Sequence, residues 1–276
     1  MTPERWVTPS GETILAPLPA GIVGGFGPEL RRFVLVLHAQ DQVTTERLTA
    51  LLNAIGVKIS KRQVVRLLAE PLDALVAEDQ EVLRAGLATA RWITVDDTAA
   101  RHARKDGFTT QVGDERFTAF RTGPSKSREA FLSLLRAGYT DYVVNAAALE
   151  YMREHGLAGP VIALLGAHPD QRFTNTPAWT AHLAGLGIDT LAVTPNSVQI
   201  ASEGALWGAI QHHGLLTGTV IVSDGAGQFR VSLHALCWIH AERLVYKLGS
   251  GLVDHSQKMT VAAMQMADMK VWAQRS

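Results

Sequence analysis

Two aspartates stand where a carboxylate can do more than face water. The apolar run WITV is followed by Asp96 and Asp97, and TVIVS, from Thr219 to Ser223, is followed by Asp224. Both runs read as short buried strands with an acid at the carboxyl end. In an open α/β sheet, ligands collect beyond the carboxyl ends of the strands. Carboxylates placed there can share hard divalent cations, because Mg²⁺ takes oxygen ligands and keeps part of its water. Two such ions activate a nucleophile and stabilise the leaving oxygen of a phosphodiester. The same aspartates can equally cap following helices, so position alone leaves both readings open. Asp141, in TDYVVN, is another place for a second acid, but no apolar strand precedes it.

Other residues invite chemistry less strongly. Cys237 and His240 have Cys-x-x-His spacing, but a structural zinc site takes four protein ligands. No second pair at comparable spacing appears, and His234 and His255 lack a supporting pattern. The expectation is therefore a helical pair packed beneath the site. Lys61, Arg62, Gln63 and Arg66 suit a DNA-facing helix, where cations meet phosphates and Gln reads a base edge. They suit a solvated helix face equally well. Arg101, His102, Arg104 and Lys105, just after the first strand, fit either a DNA backbone or a solvated turn.

These residues need elements to hold them. TTERLTALLNAIG predicts a helix with Leu48, Leu51 and Leu52 on one face, stopped by Gly56. Ser60 is a good N-cap for SKRQVVRLLAE, with Val64, Val65, Leu67 and Leu68 inward. Two short helices joined by a tight turn form a helix-turn-helix candidate. Pro28 to about Leu37 suits a helix, as does Leu72 to Arg91. GFTTQVGD and ERFTAFRTG read as a hairpin joined at Asp114, and Ser127 opens a further helix. TDYVVN and PVIALLG suit strands; AALEYMREHG, PAWTAHLAGLG and EGALWGAIQHHG suit helices. SLHALCWIHAERLVYKLG, after Asp224, reads as an apolar helix. The Pro-, Gly- and Thr-rich start reads as an arm, and the Met- and Ala-rich end is unlike the rest.

Of 276 residues, 47% are hydrophobic and 19% charged, enough apolar content for one large or two modest domains. Lys plus Arg and Asp plus Glu both number 26, so any basic surface must be local. A single Cys excludes an internal disulfide framework and suits a reducing compartment. The N-terminus lacks signal-peptide architecture and no apolar stretch is long enough to span a bilayer. The expectation is a cytoplasmic protein without a membrane partner. There is no Gly-rich phosphate loop and no Gly-x-Ser-x-Gly elbow, which argues against an ordinary metabolic enzyme.

Three segments carry a resemblance: VDDTAARHARKDGFTTQVGDERFTAF, SKSREAFLSLLRAGYTDYVVN, and VIVSDGAGQF with HALCWIHAERLVYKL. From about residue 20 to 250 the chain resembles the DDE-type insertion-sequence transposases, within them the IS-sixty-six-like group. The resemblance implies an α/β fold: a ribonuclease-H-like mixed sheet with flanking helices and an insertion, after a small helical helix-turn-helix region. It implies an arm over 1–30, a helical DNA-binding region over 31–88 and a catalytic core over 89–276, with the insertion at about 140–215. Asp96 becomes the first acid and Asp224 the second, both ligating Mg²⁺ or Mn²⁺, and Lys61, Arg62, Gln63 and Arg66 become DNA contacts. The implied activity is phosphodiester hydrolysis and strand transfer at transposon ends, by a homo-oligomer on DNA.

The family's third acid, a Glu after an Asn-Gly-Ser-Glu-Asn-like segment, has no counterpart. Glu242 is the only acid just downstream of the Cys-x-x-His motif and matches a different family position. The expectation is a truncated or frameshifted remnant with impaired catalysis. The alternatives are a complete enzyme using Glu242 or Glu150, and a non-catalytic DNA-binding regulator acting on transposon ends.

Overall fold

The computed structural model describes residues 5–17, 25–69, 72–102, 104–191 and 193–249. The chain divides into two compact units, Met1–Ala77 and Glu78–Ser276.

In the first unit, β1 (Arg5–Val7) and β2 (Thr13–Leu15) pair antiparallel, so the expected arm contains a hairpin. Three helices follow: α1 (Pro28–Ala39), α2 (Thr45–Ala54) and α3 (Lys61–Ala69). Each start has a local cause. Pro28 lies in the first turn of α1, where its missing N–H costs nothing. The Thr44 side chain accepts from the Arg47 N–H at the start of α2. At α3, Ser60 and Gln63 form a reciprocal capping box: the Ser60 N–H donates to Gln63 Oε1 at 2.8 Å, and the Gln63 N–H donates to Ser60 Oγ at 3.3 Å. Gly56, at φ 91°, ends the chain's run through α2 in a conformation that side chains resist. Val34, Leu48, Leu52, Ile59, Val64 and Leu67 close a small core. Leu51 and Val65, expected inward, are exposed instead.

The helix α4 (Asp73–Thr89) crosses the division between the units. The second unit then runs β3 (Trp92–His102), β4 (Lys105–Gly113), β5 (Thr118–Gly123) and α5 (Arg128–Leu135). Next come β6 (Tyr142–Val143), α6 (Ala146–Glu154), α7 (Gly159–Ala167), β7 (Arg172–Phe173), α8 (Thr176–Gly185) and α9 (Ser197–His212). It closes with β8 (Val220–Ser223), a short helical turn at Gly227–Phe229, β9 (His234–Leu236) and α10 (Trp238–Gly249).

The main sheet has five strands in the order β5-β4-β3-β8-β9. The β5-β4-β3 half is antiparallel, whereas β8 and β9 run parallel to β3. Side chains alternate across a sheet, and the two faces differ sharply. Ile93, Val95, Val112, Ala119 and Ile221 point into the core shared with Leu83 and Leu87 of α4 and with Phe131, Leu132 and Leu135 of α5. Thr94, Asp96 and Phe120, on the other face, are exposed.

Three expectations about elements need correction. The first strand does not stop at Asp97 but continues to His102, because β4 pairs with it along that whole length. PVIALLG lies in helix α7, not a strand; a continuous apolar run has no period to separate the two, and Pro160 at the helix start favours the helix. SLHALCW begins with β9, because His234–Leu236 finds a parallel partner in β8 before α10 starts. The residues after 249, including His255 and the Met-rich end, lie outside the described residues.

Candidate functional site

The parallel register of β3 and β8 runs from Trp92↔Val220 to Thr94↔Val222. Carried two residues further, that register would set Asp96 level with Asp224, which directly follows the end of β8. Neighbouring strands lie roughly 5 Å apart, so this register brings the chain around Asp96 and Asp224, remote in sequence, together on two adjacent central strands. Alternation gives both the parity of Thr94 and Val222, opposite to the core-facing Val95 and Ser223. Asp97 has the other parity. Each carboxylate uses one oxygen locally: Asp96 Oδ1 accepts from the Asp97 N–H, and Asp224 Oδ1 accepts from the Ala226 N–H, both at 2.9 Å.

The turn after Asp224 is held from several sides. Ser223 Oγ accepts from the Gly225 N–H at 3.2 Å and pairs with His234 Nε2 at 2.8 Å. Asp97 Oδ2 accepts from Gln228 Nε2 at 3.1 Å, while Asp97 Oδ1 accepts from Thr110 Oγ1 at 2.5 Å. Arg128, in the first turn of α5, donates to the Gly227 carbonyl at 2.7 Å. Arg128 also lies 3.6 Å from the Glu203 carboxylate, whose side chain is only 1% exposed. Glu203 accepts from the Tyr151 hydroxyl at 3.0 Å and from Gln199 Nε2 at 2.9 Å. Burial, and then the Glu203 charge, push the Tyr151 hydroxyl well above its ordinary pKa. Sequence reasoning missed this network. Its one visible sign was a Glu inside the apolar run of α9, since buried carboxylates need partners.

Other singled-out residues separate into distinct places. Asp141 is buried and engaged by His213 Nε2 at 2.9 Å and Arg172 Nε at 2.9 Å, as an internal ion-pair partner. Cys237 sits between β9 and α10, its N–H donating to the Ser223 carbonyl at 2.7 Å. It is thus at a strand–helix junction, with His240 in the first turn of α10. Among the described residues, no group of three or more His, Cys, Asp or Glu side chains is placed to hold a metal. Glu150 pairs with Arg153, and Glu242 is exposed on α10.

In the first unit, Lys61, Arg62 and Arg66 are exposed on α3 and Gln63 is half-buried. Lys61 pairs with Glu46, and that hydrogen bond leads in lowering the Glu46 carboxyl to about 2. Gln63 Oε1 is engaged by its cap. Arg101, Arg104 and Lys105 lie at the tip of the β3–β4 hairpin, with Arg104 in the left-handed region at φ 63° and Arg101 3.5 Å from Asp106. No helix among the described residues is long and apolar enough to cross a membrane.

Comparison with known proteins adds a family. The model described as the transposase IS66 family matches residues 24–145. An uncharacterized protein of Sinorhizobium fredii, y4jO, is 53% identical over 167 residues, covering 60% of this chain and 51% of that protein. A second protein of that organism, y4pD, named as a MucR family transcriptional regulatory protein, is 48% identical over 63 residues, 23% of this chain and 37% of its own length. The chain therefore spans about half the length, or less, of these relatives. No solved structure matches.

Proposed function

We propose that this chain, whose residues 24–145 match the model of the transposase IS66 family, carries the catalytic sheet of a DNA transposase. The observation that carries this reading is the β3–β8 register, which ends at Thr94↔Val222 and, carried two residues further, would set Asp96 level with Asp224. The strand order, three antiparallel strands followed by two parallel to the first, supports a ribonuclease-H-like core over 89–276, with β6 to α9 as the insertion. The helices α2 and α3 are read as a helix-turn-helix within a DNA-binding region over 31–88. Its Lys61, Arg62, Gln63 and Arg66 face transposon ends, and a homo-oligomer assembles there.

The donor set fits a hard cation in part. Asp96 and Asp224 each keep one oxygen outside the local hydrogen bonds described above, and carboxylate oxygens are the ligands Mg²⁺ and Mn²⁺ take. When bound, such a cation lowers the pKa of a water and stabilises the leaving oxygen of a phosphodiester. The chain's own part is to hold the two carboxylates at one edge and to orient the DNA backbone towards them. Among the described residues no third acid joins the pair, and on this reading strand transfer by this chain alone is impaired. The test is Mn²⁺ binding and Mn²⁺-dependent nicking of transposon-end DNA. We expect cation binding that Asp96→Ala and Asp224→Ala each abolish, with nicking weak or absent. Binding of Mn²⁺ that ignores both substitutions sinks the reading.

A second reading is a DNA-binding regulator that performs no chemistry. The similarity to y4pD, a protein named as a transcriptional regulator, favours it. It requires transposon-end binding that survives both Asp→Ala changes, in a chain that takes up no divalent cation.

A further inference from the structure

Two neighbouring aspartates with opposite strand parity cannot both serve one site. The β3–β8 register, carried two residues past Thr94↔Val222, would set Asp96 level with Asp224, while Asp97 has the opposite strand parity and is engaged at both oxygens, by Thr110 and by Gln228. Gln228 belongs to the turn that Asp224 opens. That turn is gripped again at the adjacent residue, where Arg128 donates to the Gly227 carbonyl. Arg128 is in turn backed by Glu203, a buried carboxylate from α9, which Tyr151 and Gln199 fix in place.

We propose that Asp97 and Arg128 are positioning residues: they clamp the 225–228 turn from β3 and from α5, and so set the Asp224 carboxylate level with Asp96. The proposal rests on the cation-binding reading of Asp96 and Asp224. The logic is mechanical. Asp224 lies just past the last paired residue of β8. Its direction is set by the turn it opens, and that turn includes two glycines, Gly225 and Gly227, which restrain little by themselves. Side chains from outside must supply the restraint. Asp97 provides it across the sheet edge. Arg128 provides it from a helix, relaying to the Asp224 turn the placement of α9, which is otherwise remote from the site.

Residues that orient metal ligands without touching the metal typically change affinity or activity by about 10–100-fold when removed. The experiment is Mn²⁺ titration of the full chain, read by the electron paramagnetic resonance of free Mn²⁺, with thermal melts run without metal as the folding control. The variants are Asp96→Ala, Asp97→Asn, Gln228→Leu and the pair Arg128→Gln/Glu203→Gln. The pair removes the buried Glu203 charge together with that of its half-buried partner Arg128, so neither is stranded. Gln228→Leu deletes no carboxylate, so a weakened affinity there cannot be the loss of an acidic ligand.

We expect Asp96→Ala to abolish binding and the other three to weaken it by about tenfold or more, with melts close to wild type. If Asp97→Asn does not fold, Gln228→Leu and the Arg128/Glu203 pair decide. Wild-type affinity in Gln228→Leu and in the pair, with binding lost in Asp96→Ala, overturns the clamp and leaves the proposed function standing. Full binding in Asp96→Ala overturns both.

Discussion

A buried carboxylate must find partners, and Asp141 finds several. His213 and Arg172 reach its oxygens, and Arg136 donates to its backbone carbonyl at 2.8 Å. Burial works to raise the Asp141 pKa, but the His213 hydrogen bond and charge, with Arg172 behind them, outweigh burial and leave it below the ordinary value. A carboxyl with a lower pKa folded than unfolded stabilises the fold above the unfolded value, near 3.9, and loses that contribution as pH falls through the folded value. Asp141→Asn is therefore expected to be less stable than wild type at pH 7, with the gap closing below about pH 4. Urea unfolding at both pH values measures it, and a gap that does not change with pH counts against this account. The Asp96–Asp97 pair makes the complementary point about location. Adjacent identical residues acquire different work because a strand turns them to opposite faces.

At the scale of elements, α9 shows how close packing depends on absent side chains. It is buried along nearly its whole length, from Ser197 to Ile210. Gly208 lies against β6 and α6, where an added Cβ would collide with the Val143 carbonyl oxygen and press on Ala148 Cβ at 2.8 Å. Backbone cannot yield as a flexible side-chain tip can, so Gly208→Ala is expected to cost about 1–3 kcal/mol as overpacking. That corresponds to a fall in Tm of several degrees, measurable by calorimetry; an unchanged Tm would show that α6 gives way freely. The helices of the first unit were largely readable beforehand, because their signals are local: Thr44, Ser60 with Gln63, Gly56 and the leucine spacing. The strand ends were less so. Nothing within WITVDDTAARH says that the strand continues past Asp97, since that depends on β4 pairing back along it.

At the scale of the whole molecule, the formal charge is zero, so under the proposed function any attraction to DNA must come from local basic clusters. Those at Arg62 and Arg66 on α3 and at Arg104 and Lys105 on the β3–β4 tip are the ones at hand. If they neutralise phosphates, log affinity for transposon-end DNA falls linearly with log salt, with a slope of about −0.9 per contact. Arg62→Ala and Arg66→Ala are each expected to reduce that slope by about one, in filter-binding or fluorescence-anisotropy titrations across salt. A slope that neither substitution alters places the DNA elsewhere on the protein. Lys61 is a weaker contributor while Glu46 holds its ammonium.

The sequence by itself determined that this chain folds with a substantial core, where most helices begin, and that two apolar runs end in aspartate. These are matters of neighbouring residues, of period and cap, and they survive without knowledge of the rest. Only the tertiary structure decided that Asp97 is engaged by Thr110 and Gln228, that Asp141 is an internal ion-pair partner, and that Arg128 and Glu203 bear on the Asp224 turn. Those outcomes depend on the register of β3 against β8 and on the placement of α9, contacts between residues far apart in the chain that no local pattern specifies.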